Sequence, residues 1–88
     1  MPEVIFLEKF ETCYNTFFFD NIAEAKYRII QNGTEFVWHL RMYELDADNR
    51  TMVECEETAE CFLFEKQLDY RNTEVLLNAF DTAVRAML

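Results

Sequence analysis

From Glu35 onward the chain alternates apolar and polar positions with a period of two: Phe36, Trp38, Leu40 and Met42 fall on one side, Val37, His39, Arg41 and Tyr43 on the other. Successive side chains of a strand point to opposite faces, so this pattern predicts a long strand with one oily face. Asp46, Ala47, Asp48 and Asn49 form a turn cluster, because Asp and Asn tolerate left-handed backbone and bond to their own main chain. Thr51 to Glu57 then reads as the returning strand. With Asp48-Asn49 as a two-residue loop, Arg41 is expected opposite Glu56, Tyr43 opposite Glu54, and Met42 opposite Cys55. A slip of one residue would turn bare carboxylates into the core, so Glu54 and Glu56 are expected in water.

Upstream, Glu3 to Glu11 is rich in Val, Ile and Phe and reads as a strand, with Tyr14 to Phe19 as a second and Thr12-Cys13 near the reversal. A helix through Val4, Leu7, Phe10, Tyr14 and Phe17 competes, against the β-branched and aromatic content that pleated strands favour. Asp20 or Asn21 supplies an N-cap for a helix over Ile22 to Asn32, stopped by Gly33. Ile22, Ala23, Ala25, Ile29 and Ile30 make its apolar arc, with Lys26 inside the arc and expected to lay its stem along the core edge.

Phe62, Phe64, Leu68 and Tyr70 alternate with polar neighbours and suggest another strand from about Glu60, with a helix capped by Thr58 as the alternative. Asn72 or Thr73 caps a final helix over 73–88, whose stripe is Leu76, Leu77, Phe80, Ala83, Val84, Met87 and Leu88. The expected fold is thus α+β and one domain over 1–88. Its small antiparallel sheet follows the order β-β-α-β-β-β-α, with two helices packed on one face.

Composition supports folding: 51% of the 88 residues are hydrophobic and 16% aromatic, well away from disordered chains. It also excludes chemistry. A single Gly rules out Gly-rich phosphate loops, and the absence of Ser removes the commonest nucleophile, so no enzyme and no cofactor is expected. Cys13, Cys55 and Cys61 have no Cys-x2-Cys spacing, and with His39 they make a poor zinc set, so core thiols are expected and no metal. The N-terminal apolar run is too short for a membrane span and lacks a basic lead, which points to a cytoplasmic protein.

Charge narrows the function further. The formal net charge is −9, and the eight bases are scattered singly, so direct nucleic-acid binding is not expected. Between Glu44 and Glu60 seven carboxylates face one base, Arg50. Acidic residues two apart on a strand make short charge rows, and such rows fit a Lys/Arg-lined groove built for DNA or RNA. The sequence therefore leads to a non-enzymatic inhibitor of a basic, nucleic-acid-binding protein. By class analogy this is a phage-type inhibitor of a host nuclease or defence complex, a nucleic-acid mimic that binds through Glu44, Asp46, Asp48, Glu54, Glu56 and Glu57. The alternative is a self-associating structural or adaptor module, acidic only for solubility. The consecutive Phe17 to Phe19 and the wide apolar arc of the last helix favour a homodimer.

Overall fold

The structure, a computed structural model, describes residues 2–10, 21–45, 50–66 and 68–88, and the side chains of 8–10 and 21–22 are outside that description. Five strands and one helix follow in chain order: β1 (Glu3–Phe10), β2 (Asn21–Gln31), β3 (Thr34–Glu44), β4 (Thr51–Cys55), β5 (Cys61–Phe64) and α1 (Thr73–Met87). The strands form an antiparallel meander in the order β1-β2-β3-β4-β5.

The helix expected over Ile22 to Asn32 is instead β2, and the described elements therefore run β-β-β-β-β-α with one helix rather than two. The reason is visible in β2 itself. Ala23, Ala25, Tyr27 and Ile29 are buried, and Glu24, Lys26, Arg28 and Ile30 alternate with them at intermediate exposure. Lys26, awkward inside a helical arc, falls on the polar side of a strand. Asn32 and Gly33 have φ of 53° and 77°, so both central residues of this turn are left-handed. That is the type I′ hairpin for which Asn-Gly is the preferred pair, because its twist matches the strands it joins. Gly33 ends the element as expected, but by reversing a hairpin instead of capping a helix.

β1, β3 and β4 lie close to where the alternation places them, and the strand near residue 60 is the short β5, not a helix. The strand expected over Tyr14 to Phe19 and the turn cluster 46–49 lie outside the described residues. At their flank the Leu45 N–H donates to the Arg50 carbonyl at 2.8 Å. The hairpin register differs from expectation by two residues. Arg41 opposes Glu54, Tyr43 opposes Met52, Met42 opposes Val53, and Leu40 opposes Cys55. An even shift keeps every side chain on its expected face.

Burial along β2, β3 and β4 follows that parity. Ala23, Ala25, Tyr27 and Ile29 of β2, Trp38, Leu40 and Met42 of β3, and Val53 and Cys55 of β4 share one core with Leu76, Ala79, Phe80, Ala83 and Val84 of α1. Thr51, fully buried, shares its hydroxyl with the Tyr70 hydroxyl and so has a partner for its one polar atom. Asn72 starts α1, its side-chain oxygen accepting from the Glu74 and Val75 N–H groups at 3.0 and 3.3 Å. In β1 a register shift between Phe6 and Glu8 leaves Leu7 exposed. The opposite face of the sheet carries no described helix.

Candidate functional site

On that helix-free face, charged side chains from three strands come together. Glu24 of β2 opposes Arg41 of β3, and Arg41 opposes Glu54 of β4. The ladder continues past β4, where the Glu56 N–H donates to the His39 carbonyl at 2.9 Å. His39, Arg41, Glu54 and Glu56 thus occupy one patch around the end of the β3–β4 hairpin, held by strands rather than by a tail.

The contacts within the patch are specific. Arg41 lies between two carboxylates, with Nη2 3.6 Å from Glu56 Oε1 and Nε 3.9 Å from Glu24 Oε1. The Tyr43 hydroxyl donates to Glu54 Oε2 at 2.6 Å. Burial, and then this bond and the Glu54 charge, hold the Tyr43 phenol well above its ordinary value. Glu57 reaches back across the hairpin: Oε1 accepts from the His39 N–H and Oε2 meets His39 Nδ1, each at 2.7 Å. The Cys55 thiol also donates to Glu57 Oε1 at 3.8 Å. Partial burial would raise the Glu57 carboxyl, but the His39 backbone and ring hydrogen bonds outweigh it and leave the group below the usual carboxylate range. Its side chain substitutes for the main-chain acceptor that the ladder lacks at that position.

The six acidic residues expected to act together are distributed over the fold. Glu54 and Glu56 share the helix-free face, and Glu57 is clasped to His39 beside them. Glu44 has the parity of Met42 and opposes the buried Thr51, so it lies on the helix side of the sheet, where its charge helps raise the Tyr70 phenol after burial does so. Asp46 and Asp48 lie outside the described residues. Of the three cysteines, Cys55 is a buried core thiol and Cys61 is exposed at the edge strand, where partial burial and then Glu54 raise its pKa. Cys13 lies outside the described residues.

Glu24, His39, Arg41 and Tyr43 are the members of the patch outside the six acidic residues chosen from the sequence, although Arg41 and Tyr43 were expected opposite Glu56 and Glu54. The signal was present as parity, since all four alternate away from the core residues. The register expected from a two-residue loop set His39 opposite Thr58, two positions beyond Glu56, and so separated it from its carboxylates. No family model, curated protein or solved structure matches the chain. Among the described residues no helix is long and apolar enough to cross a membrane.

Proposed function

We propose that this chain is a non-enzymatic acidic protein that binds and inhibits a basic, nucleic-acid-binding protein, a phage-type inhibitor directed at a host nuclease or defence complex. The observation that supports this reading most is the fixing of its anionic groups: Glu54 by the Tyr43 hydroxyl at 2.6 Å and Glu57 by His39 at 2.7 Å. Carboxylates already held by neighbouring strands lose little side-chain freedom when a cationic groove closes on them. Glu54 lies in β4 and Glu56 just past its end, where the bond from its N–H to the His39 carbonyl ties it to β3 beside Glu54. Arg41 neutralises part of this charge, so Glu54 and the outer oxygen of Glu56 carry the contact.

The test is capture of partners from a lysate at low and high salt, with the wild type beside a Glu54→Lys, Glu56→Lys variant. Capture that weakens with salt and is abolished by the charge reversal supports the reading. Capture indifferent to both removes it.

A second reading, a self-associating module, is favoured by a different observation. Leu63 on edge strand β5 and Val37 on the helix-free face are exposed at 36% and 38%, and an edge strand offers unpaired main-chain groups to another chain. A strict monomer in sedimentation at high micromolar concentration would remove it.

A further inference from the structure

The helix-free face also gathers one imidazole and two carboxylates in a small space. Ligand atoms of His39, Glu56 and Glu57 all lie within 4.8 Å of one another. Two of them, His39 Nδ1 and Glu57 Oε2, are only 2.7 Å apart. Two donors at about 2.1 Å from one cation and at right angles to each other would be about 3.0 Å apart, whereas a tetrahedral pair would be about 3.4 Å apart. At 2.7 Å these two atoms share a hydrogen bond, so they must part by several tenths of an ångström for an ion to take the proton's place. We propose that His39, Glu56 and Glu57 form a binding site for a divalent transition-metal ion, its remaining positions filled by water.

The surroundings suit such an ion. In the site the imidazole binds through the Nδ1 lone pair with the ring proton on Nε2, and Glu57 binds through Oε2. Any proton held between those two atoms leaves to solvent as the cation takes its place. Glu57 Oε1 keeps its bonds to the His39 N–H and the Cys55 thiol, and outer hydrogen bonds of this kind orient a ligating carboxylate. Glu56 is positioned by the bond from its N–H to the His39 carbonyl at 2.9 Å, which ties its backbone to that of the ligating histidine. Arg41 is the competing cation: it must release Glu56 Oε1, now 3.6 Å away, while its contact with Glu24 remains available. One nitrogen and two carboxylate donors match manganese, cobalt, nickel or zinc better than calcium, which takes all-oxygen cages, or copper(I), which takes sulfur.

Glu56 and Glu57 belong also to the surface assigned above to a basic partner. A bound dication would cancel their charge, so metal and partner should compete. That competition rests on the inhibitor reading, whereas the site itself does not, and its test uses no partner.

Chelator-treated full-length protein is titrated with Mn2+ and with Zn2+ by calorimetry, the zinc series in a Cys61→Ala background to remove the exposed thiol. Mn2+-induced broadening of amide resonances maps the site. The expected result is saturable binding of one ion per chain, broadening centred on His39 and on residues 55–58, and a loss of affinity of at least about tenfold in each of His39→Gln and Glu56→Gln. The exposed Glu56→Gln side chain leaves folding intact even where His39→Gln does not, and the mapping needs no variant. Absence of saturable binding, affinity unchanged in Glu56→Gln, or broadening spread equally over Glu3, Glu44 and Glu60 would each overturn the site.

Discussion

Single residues here act through the face on which they sit. Tyr27 is 2% exposed in the core, and burial, followed by the nearby Asp81 charge, pushes its phenol from 10.0 up to about 12. A group whose folded pKa lies above its unfolded value stabilises the fold fully below the unfolded value, and loses that contribution as pH rises through the folded one. Stability should therefore be flat up to pH 10 from this source. It should then fall by about 1.4 kcal/mol per unit until about pH 12, roughly 3 kcal/mol in all. Denaturant melts across that range, paired with phenolate absorbance, measure it. Asp81→Asn should lower the Tyr27 midpoint. Gly33 gives a second residue-scale prediction. A Cβ there meets nothing within 4 Å, so only its φ of 77° opposes a side chain. Gly33→Ala should cost about 1 kcal/mol, read as a lower denaturation midpoint with an unchanged slope.

At the scale of elements, α1 depends on its own cap. Asn72 satisfies two N–H groups that have no intrahelical acceptor, so Asn72→Ala should lower stability by about 1 kcal/mol, and Asn72→Asp should retain most of it. This helix is also the element most completely legible in sequence, because cap, 3.6-residue stripe and length all agree within fifteen residues. Residues 21–31 show the opposite case. Ala23, Glu24, Ala25 and Lys26 are acceptable to a helix, and Ala25 and Ile29, four apart, meet the helical spacing and a strand's period of two alike. The deciding feature was the Asn32-Gly33 pair between two alternating runs, a local signal with two physical uses, helix stop and hairpin reversal. Pairing with strands on both sides decided between them, because each neighbour satisfies one edge of β2's main chain.

At the scale of the whole molecule, the described residues form a five-stranded meander with one face committed to α1 and the other carrying charge. Two substitutions of the same kind on one strand test that division. Leu40→Lys places an ammonium in the core at a position of zero exposure and should cost more than about 4 kcal/mol, enough to abolish cooperative unfolding. Val37→Lys, three positions earlier on the other face, should change stability by less than about 1 kcal/mol. Circular dichroism melts of the two variants give the comparison directly. The candidate site depends on this same geometry: His39, Arg41, Glu54 and Glu56 share a face by parity, but only the observed register sets His39 against Glu56.

By itself the sequence determined the strand from Glu35 with Trp38, Leu40 and Met42 turned inward, its return from Thr51, the final helix, and an acidity concentrated near one hairpin, whereas the return was expected to reach Glu57 and ends at Cys55. Those features depend on periodicity and local capping, which a chain carries within ten or fifteen residues. The tertiary structure decided that 21–31 is a strand, that the hairpin register shifts by two, and that Glu44 parts from Glu54 and Glu56 while His39 joins Glu56 and Glu57. Parity is a property of one strand, but register and partnership are set by hydrogen bonds between residues far apart in sequence. A shift of two leaves every face unchanged, so nothing in the hydrophobic pattern distinguishes one register from the next.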